Sequence, residues 1–443
     1  MGRRRRRRKL PQTPVEAVVE SLAHDGRGVA RVDEKVTFIH GALPGERVRF
    51  RYTDRRRSHD EGEVVEVLDA SPERVAPACA HYGLCGGCAL QHLAPEAQIR
   101  FKQQALREAF EHLGKVTPET WLPPLTNAHP WGYRRKARLG VRLVPKKGRV
   151  LVGFRERSSN FIADLEACEV LHPKVGRALL TLSALIGSLD SAARIAQIEV
   201  AMDDERCVLV LRNLDPLGEE DLARLRRFAR EQDFILYLQP GGPETVTPLE
   251  APADLHYRLP AFDLSLHFEP TDFTQVNSHI NRQMVSRAVE LLAPGADERV
   301  LDLFCGIGNF TLPLARRAGQ VVGVEGAAEL VARARHNARR NGLENVTFFA
   351  ANLYEPLEAE PWLRTGYGKA LLDPPRSGAL EVLPWLPKLG VRRLVYVSCY
   401  PGTLARDAGE LVHRHGYRLV SAGIMDMFPH TAHVESMALF ERS

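Results

Sequence analysis

Two segments place reactive side chains directly after apolar runs that are typical of buried strands. Asp373 begins Asp-Pro-Pro-Arg, and Cys399 lies in Ser-Cys-Tyr-Pro. The carboxyl ends of parallel strands meet at one sheet edge, where ligands bind, so we expect Asp373 and Cys399 to be neighbours. A thiol at a strand end before a helix can have a lowered pKa and act as a nucleophile. Cys399 is therefore the predicted nucleophile, whereas we interpret Cys207 and Cys305 as packing residues.

A carboxylate close to the carboxyl terminus is the predicted proton acceptor. Glu435 precedes the last apolar run and follows apolar residues such as Phe428. A carboxylate that is partly desolvated by such side chains can have a raised pKa and serve as a base. His430 and His433 are the other candidates in this segment, and we interpret both as hydrogen-bonded structural residues.

A loop containing Gly306 and Gly308 predicts a site for a nucleoside cofactor. The loop closes an apolar strand and opens a helix, and its glycines let the backbone approach a ligand closely. Glu325 ends the next strand, where a carboxylate can accept hydrogen bonds from both ribose hydroxyls. A dinucleotide site requires a third glycine where this chain has Thr311, which favours S-adenosylmethionine over NAD. Asn352, just past the following strand, is a candidate for hydrogen bonding to the adenine.

Four cysteines form an irregular pattern that is typical of metal ligation. Cys79, Cys85 and Cys88 lie within ten residues, and Cys168 can be a fourth ligand. Zinc usually takes two Cys-x-x-Cys pairs or cysteine with histidine, and the first gap here is too long for such a pair. The three-plus-one spacing favours an iron–sulfur cluster. Zinc and a redox-active Cys85–Cys88 pair remain the alternatives.

The elements that must position these residues belong to the α/β class. After residue 274, apolar strands alternate with helices, which predicts a doubly wound, Rossmann-like parallel sheet. Residues 131–268 are mainly strand-like with one helix at 219–232, which predicts a central α+β domain, and Arg194–Met202 and Arg206–Asn213 are predicted to form a hairpin. Five short strands separated by turn signals in residues 14–69 predict an OB-like β-barrel. The barrel strands contain Arg47, Arg49 and Arg51, which suit a phosphate backbone.

Charge is unevenly distributed along the chain. Residues 1–60 contain 16 Lys and Arg against 8 Asp and Glu, although the whole chain carries a net charge of only +5. A basic head on a nearly neutral body predicts a polyanion partner such as nucleic acid. No apolar run approaches the roughly 18 residues of a membrane span. The run Arg3–Arg8 has no apolar stretch behind it, so we expect no secretory signal and a cytoplasmic protein with reduced thiols.

The sequence blocks together resemble the RNA (uracil-5-)-methyltransferases over nearly the whole chain. The matching blocks are Phe273-Thr-Gln-Val-Asn277, Asp302-Leu-Phe-Cys-Gly-Ile-Gly-Asn-Phe310, Asp373-Pro-Pro-Arg376, Ser398-Cys399, His433-Val-Glu-Ser436 and the four cysteines. The first 70 residues are similar to a TRAM domain. One departure is Tyr400, where the family pattern has Asn between Cys and Pro.

The resemblance implies a role for each matching residue. Cys399 is implied as the nucleophile and Glu435 as the base. A [4Fe-4S] cluster is implied for Cys79, Cys85, Cys88 and Cys168. The residues implied to line the S-adenosylmethionine site are Gln275, Phe304, Asn309, Glu325, Asn352 and Asp373.

The resemblance also implies the substrate and the domain order. A TRAM domain together with the cluster cysteines implies methylation of 23S ribosomal RNA, at C5 of the uridine at position 1939, in a single-stranded or unstacked region. A transfer-RNA uridine, or a non-catalytic RNA-binding iron–sulfur protein, are the alternatives. We expect a monomer that holds RNA through the barrel and the segment 133–136. The expected regions are a basic arm at 1–13, a TRAM barrel at 14–70, an iron–sulfur loop at 71–94, a substrate domain at 95–270 and a methyltransferase domain at 271–443.

Overall fold

The computed structural model describes residues 10–11 and 13–443. The described chain divides into two compact units. The first contains the residues up to Lys102 with Glu156–Ser159 and Pro429–His433. The second contains Gln103–Arg155, Asn160–Phe428 and Val434–Ser443. The predicted arginine arm Arg3–Arg8 lies outside the described residues.

The first unit contains a closed five-stranded barrel. Alternating side chains point inward, and Val19, Ile39, Val48 and Phe50 form its apolar centre. This alternation is what a strand with one buried face requires. In spatial order the strands are Val15–Leu22, Gly28–Val32, Lys35–His40, Asp60–Asp69 and Arg47–Arg55, and the last pairs with the first.

The second unit contains a six-stranded sheet in its central sequence region. The predicted hairpin is confirmed, because Ile195–Met202 pairs antiparallel with Cys207–Asn213. His256–Leu259 and Leu264–His267 form a separate two-stranded sheet. The six strands lie in the order Thr247–Pro248, Ile235–Leu238, Cys207–Asn213, Ile195–Met202, Lys136–Val144 and Arg149–Gly153.

An eight-stranded sheet forms the rest of the second unit and carries the predicted doubly wound fold. Its core strands are buried on both faces, as helix-covered parallel strands must be. Only Glu435–Glu441 runs against its neighbours. The strands lie in the order Val346–Ala350, Gln320–Glu325, Arg299–Leu303, Lys369–Leu372, Arg393–Ser398, Glu435–Glu441, Arg418–Met425 and Thr120–Trp121.

Helices connect the strands and cover the sheets. The π-helical turn Phe110–Gly114 continues the first helix. The α-helices are Pro95–Ala109, Pro173–Gly176, Leu179–Gly187, Glu219–Gln232, Ser278–Leu292, Thr311–Ala315, Ala328–Arg340, Trp385–Lys388 and Pro401–His415. In the described residues, no helix is long and apolar enough to cross a membrane.

Two elements differ from the sequence expectations. The helix Leu179–Gly187 was not expected, because it is apolar on most faces and lacks a clear helical period. The strand Thr120–Trp121 has only two residues and joins the large sheet by pairing parallel to Arg418–Met425. Local sequence cannot indicate so short an edge strand, since the pairing alone defines it.

The contact between the helix Pro401–His415 and the turn Phe110–Gly114 gives a stability prediction. A Cβ at Gly409 would lie 2.7 Å from the carbonyl oxygen of Gly114. Overpacking against backbone costs up to about 3 kcal/mol, more than the roughly 1 kcal/mol that alanine gains over glycine in a helix. We expect Gly409→Ala to lower the free energy of unfolding by about 1–2 kcal/mol in urea denaturation.

Gly187→Ala is the matched control for this prediction. Gly187 is also helical, but the nearest heavy atom to its added Cβ would lie at 3.8 Å. The Gly187→Ala substitution should leave the free energy of unfolding unchanged or raise it. Equal effects of the two substitutions would show that the close approach at Gly409 is unimportant.

Candidate active site

Four neighbouring strands end together and carry four of the predicted site residues. Phe304 follows the strand Arg299–Leu303, and Glu325 is the last residue of its own strand. Asp373 and Cys399 follow the next two strands across the sheet. All four strands are parallel, so these residues lie at the same edge.

The glycine loop turns sharply at this edge. Gly306 and Gly308 have φ angles of +53° and +98°, which glycine adopts without strain. A Cβ at Gly308 would lie 2.3 Å from the Cδ1 of Leu312. Phe304 has a φ of +64°, an uncommon value for a bulky residue, and such outliers cluster at functional sites.

Glu325 is held against this loop by backbone donors. Its two carboxylate oxygens accept hydrogen bonds from the amides of Gly306 at 3.0 Å and Ala327 at 3.1 Å. The carboxylate is therefore oriented at the strand end, with lone pairs left for a ligand.

Asn309 belongs to a network of amide and hydroxyl groups. Its Oδ1 accepts hydrogen bonds from the Tyr257 hydroxyl at 2.9 Å and from Nδ2 of Asn281 at 3.1 Å. Its Nδ2 donates to Oδ1 of Asn281 at 3.0 Å. Asn281 and Gln275 line the same small pocket, so the network lies beside a second predicted donor-site residue.

Asn352 is exposed and makes only local contacts. It accepts a hydrogen bond from the amide of Tyr354 at 3.1 Å and donates to Glu355 at 2.8 Å. The ring of Tyr354 lies 5.8 Å from that of Phe304, centroid to centroid. Tyr354, two residues after Asn352, thus connects this segment to Phe304 at the start of the glycine loop.

Cys399 and Glu435 lie on adjacent strands. Ser398 pairs with Ser436 in the antiparallel ladder between Arg393–Ser398 and Glu435–Glu441. This is the last pair of the ladder, so its register brings Cys399, just past the strand end, next to Glu435, whose charge acts on the Cys399 thiol. Glu435 is only 8% exposed, whereas Cys399 is partly exposed at the edge. The amide of Asp373 donates to the carbonyl of Leu303 at 3.3 Å, which holds the Asp373 loop beside the glycine strand.

The Cys399 thiol is protonated in the free protein at neutral pH. Burial raises its pKa to about 11, with further increases from the negative charges of Glu435 and Asp373. Arg376 opposes these effects only weakly. The expectation of a lowered pKa is therefore wrong, because burial of the thiol, together with the neighbouring acids, raises its pKa.

Two further carboxyl groups at this edge are protonated more readily than usual. Burial raises the pKa of Asp373 to about 7. Burial also raises the pKa of Asp302 to about 8, with additional contributions from Asp373 and Glu325. Asp302 is fully buried and accepts a hydrogen bond from the Thr311 hydroxyl, which opposes this increase.

The helix Pro401–His415 joins the loops that carry Asp373 and Cys399. The Thr403 hydroxyl lies 3.2 Å from the carbonyl oxygens of both Arg376 and Tyr400. Farther along the helix, Asp407 accepts a hydrogen bond from the amide of Ala379 at 2.8 Å. These contacts fix the backbone of the two loops relative to each other.

The histidines near the carboxyl terminus have structural surroundings in the first unit. His430 is buried; its amide donates to Oε1 of Gln98 at 3.0 Å, and its carbonyl accepts from the amides of Ala89 and Leu90. The amide of His433 donates to the Thr431 hydroxyl at 3.2 Å. Their interpretation as hydrogen-bonded residues is consistent with these contacts.

The structure does not support the predicted metal site. Cys79, Cys85 and Cys88 belong to the first unit and Cys168 to the second; none of the four forms a disulfide within the described residues, and all four are partly exposed. Across the described part of the chain, no group of three or more His, Cys, Asp or Glu side chains is arranged to hold a metal ion. The ligand set of four cysteines, which their spacing and the resemblance favour, stays a prediction.

Much of the predicted phosphate-binding charge is already paired. On the barrel, Arg49 contacts Glu16 at 3.0 Å and Glu66 at 2.9 Å. Arg47 contacts Asp69 at 2.8 Å.

In the segment 133–136 of the second unit, side chains are likewise buried or paired with acids. Tyr133 is buried, Arg135 pairs with Asp204 at 2.8 Å, and Lys136 pairs with Glu199 at 3.2 Å. The expectation that this segment holds RNA stays a prediction.

Comparison with known proteins identifies the family. A family model described as tRNA (Uracil-5-)-methyltransferase matches residues 213–361 and 362–443, and a TRAM domain model matches residues 11–68. The chain belongs to the RNA (uracil-5-)-methyltransferase family. It is 59% identical over 444 residues to the "23S rRNA (uracil(1939)-C(5))-methyltransferase RlmD" of Alkalilimnicola ehrlichii, covering 100% of this chain and 99% of the relative. The protein of the same name from Methylococcus capsulatus is 53% identical, with 100% of both chains covered.

A solved structure of similar fold agrees with this family. The tRNA (uracil-54, C5)-methyltransferase of Pyrococcus abyssi, in complex with S-adenosyl-L-homocysteine, matches with a TM-score of 0.75. Sequence identity is 24%, and the match covers 96% of this chain and 99% of that chain. The predicted enzyme class and the predicted fold class are therefore confirmed for this methyltransferase.

Sequence reasoning missed the residues that hold the methyltransferase site together. Tyr257 and Asn281 orient Asn309, and Thr403 and Asp407 join the two loops. The only local signal was that Asp407, an acid, lies on the apolar face of a helix and is fully buried. A buried acid requires partners, but the sequence does not show which ones.

The raised pKa of Cys399 predicts slow alkylation of this thiol. We expect the rate of iodoacetamide labelling at Cys399 to increase through the pH range up to about 11, because only the thiolate reacts. Asp373→Asn removes a negative neighbour, so it should lower this pKa and speed labelling at pH 8. Labelling would be followed by mass spectrometry of the Cys399 peptide.

Asp254→Asn is the control for that substitution. Asp254 is an exposed acid that pairs with Arg340, and no contact links it to Cys399. The Asp254→Asn substitution should leave the labelling rate of Cys399 unchanged. Fast labelling of the unaltered protein at pH 7 would contradict the assignment of a protonated thiol.

Proposed function

We propose that this chain transfers a methyl group from S-adenosylmethionine to C5 of the uridine at position 1939 of 23S ribosomal RNA, while Cys399 is covalently bonded to C6 of the base. The juxtaposition of Cys399, Glu435 and Asp373 at the edge that holds the glycine loop carries this proposal. The names of the full-length relatives supply the substrate.

The residues present at the edge fit the methyl donor. No atom lies within 4 Å of the Cβ that would be added at Gly306, so this turn leaves space for a ligand. Glu325 and Asn309 offer a carboxylate and an amide suited to the nucleoside. Gln275, Phe304, Asn352 and Asp373 complete the proposed site. When bound, the sulfonium supplies an electrophilic methyl group.

Cys399 prepares the base for attack on this methyl group. The C5 of uracil is too weakly nucleophilic to take it directly. The Cys399 sulfur bonds to C6, the thiol proton passes to the Asp373 carboxylate, which leaves Glu435 ionised, and the electrons of the C5–C6 double bond move towards the C4 carbonyl. Asp373 orients the base or the donor, and its pKa of about 7 lets its protonated form donate a hydrogen bond at neutral pH.

Glu435 completes the reaction after C5 has taken the methyl group. The carboxylate removes the C5 proton, the C5–C6 double bond re-forms, and the bond between C6 and the Cys399 sulfur breaks. Adjacent strands hold both side chains, so neither needs to move far between the steps. His430 and His433 remain alternative bases.

RNA reaches the site as an unstacked strand in this proposal. A uridine inside a helix cannot reach such an edge, so the base must leave its stack. The barrel of the first unit binds the RNA backbone through the exposed Arg31 and Arg51, which have no ion pair among the described residues. We further propose that the protein acts as a monomer in the cytoplasm.

The [4Fe-4S] cluster is the least supported part of the proposal. The described residues offer no group of three ligands, so no step of the reaction depends on a cluster. The spacing of Cys79, Cys85, Cys88 and Cys168 remains its basis. Iron and sulfide analysis of protein purified without oxygen decides the point, since a cluster requires about four irons per chain.

Two alternatives are less well supported. Methylation of a transfer-RNA uridine agrees with the family description and with the similar fold, but that structure is 24% identical against 59% for the ribosomal relative. A non-catalytic RNA-binding protein would have no reason to hold Cys399 beside Glu435.

Mass mapping of RNA tests the substrate. Cells that lack this protein should lose 5-methyluridine at position 1939 of 23S RNA and keep it in transfer RNA. The intact gene should restore the modification, and a Cys399→Ala gene should not, because no adduct can form. Loss confined to transfer RNA would refute the ribosomal substrate.

Glu435→Gln should trap the covalent adduct after methyl transfer. Glutamine keeps the size of glutamate but cannot accept the C5 proton, so Cys399 stays bonded to C6. We expect a protein–RNA band that survives denaturing electrophoresis and contains the transferred methyl group.

The double variant Cys399→Ala, Glu435→Gln is the control for this adduct. It should give no such band, because the bond to C6 requires the Cys399 sulfur. Normal turnover by Glu435→Gln would move the base function to His430 or His433.

A further inference from the structure

An arginine and a tyrosine are stacked beside the nucleophile. The guanidinium carbon of Arg376 lies 4.6 Å from the ring centroid of Tyr400, within the roughly 6 Å of an effective cation–π contact. Arg376 ends the segment that begins with Asp373, and Tyr400 directly follows Cys399. The stack therefore connects the two loops of the candidate site through their side chains.

The stack is built into the backbone around it. A Cβ at Gly402 would lie 2.8 Å from Cε1 of Tyr400, so glycine at this position lets the ring lie close to the start of the helix. The Thr403 hydroxyl lies 3.2 Å from the carbonyl oxygens of both Arg376 and Tyr400. Thus the loops that carry the two side chains are fixed before any ligand arrives.

No acid in the described part of the chain pairs with Arg376. Both side chains are exposed, with Tyr400 36% accessible, and no ion pair joins Arg376 to an acid in the described residues. Arg406, on the neighbouring helix, is instead paired with Asp407 at 2.6 Å. Arg376 is thus an oriented cation that faces solvent at the site, close enough to Cys399 to favour its thiolate form.

We propose that Arg376 binds a phosphodiester of the substrate RNA next to the target uridine and that Tyr400 is the positioning residue that holds its guanidinium there. A base that leaves its stack carries its own phosphates to the edge of the site. A guanidinium matches a phosphate through paired donors, and the ring limits the rotamers that a free arginine would sample. This inference rests on the proposed function.

Binding of an RNA fragment containing the target region tests the contact. Affinity would be measured at several salt concentrations with the full-length protein. Arg376→Gln should weaken binding about tenfold and reduce the slope of log K against log salt by about 0.7–0.9, because one phosphate contact is lost. Arg339→Gln is the matched control, since this exposed arginine has no ion pair in the described residues and lies near the end of the helix Ala328–Arg340. Arg339→Gln should change neither the RNA affinity nor the salt slope appreciably.

Substitutions at Tyr400 test the positioning role. Tyr400→Leu should weaken RNA binding about threefold to fivefold, while Tyr400→Phe keeps the ring and should restore it. Tyr400→Leu should have no further effect in the Arg376→Gln background, because the cation it orients is gone. Affinity for S-adenosylmethionine and the thermal unfolding temperature should remain unchanged in all variants, which separates positioning from loss of structure.

The possible outcomes distinguish this inference from the proposed function. If the unaltered protein methylates the fragment but Tyr400→Leu binds RNA normally, or the two substitutions add independently, the positioning role is refuted. An unchanged salt slope in Arg376→Gln would refute the phosphate contact. If the unaltered protein does not methylate the RNA, the proposed function fails, and this inference fails with it.

Discussion

The candidate site depends on one buried carboxylate, that of Asp407. It accepts hydrogen bonds from the Tyr396 hydroxyl at 2.6 Å, the Ala379 amide at 2.8 Å and the Arg406 guanidinium at 2.7 Å. A buried carboxylate is stable only when it is paired and hydrogen bonded. These three partners lie on the strand before Cys399, the loop after Asp373 and the helix after Cys399. One charge therefore holds together the elements that bring the reactive residues to the same edge.

The electrostatics of the edge follow from its concentration of acids. Asp302 and Asp373 have raised pKa values, and the acids near Cys399 keep its thiol protonated. Several carboxyl groups in a small, partly buried volume cannot all ionise easily. A cationic sulfonium would favour the ionised carboxylates, which are the proton acceptors that the chemistry requires. Donor binding and activation of the proposed nucleophile are thus expected to support each other.

Recognition of RNA rests on fewer free charges than the composition indicates. Arg47 and Arg49 of the barrel face acids, as do Arg135 and Lys136 of the second unit. Surface ion pairs are individually weak. An approaching polyanion can therefore replace the acids as partners of these arginines, at the cost of breaking the ion pairs. Arg376 differs because its partner is an aromatic ring, which orients the charge without neutralising it.

The sequence alone was sufficient for the fold class and for the placement of Asp373 and Cys399, because both follow apolar strands and parallel strands end at one edge. It also indicated the hairpin Ile195–Met202 with Cys207–Asn213. Tertiary structure alone decided that Glu435 lies beside Cys399, since this depends on the register of one antiparallel strand with distant partners. It likewise decided the pKa of Cys399. Local sequence favoured a lowered value, whereas burial and the charges of Glu435 and Asp373, on two other segments, raise it. Properties of single elements can be inferred from spacing, but desolvation and pairing depend on which distant residues the fold brings together.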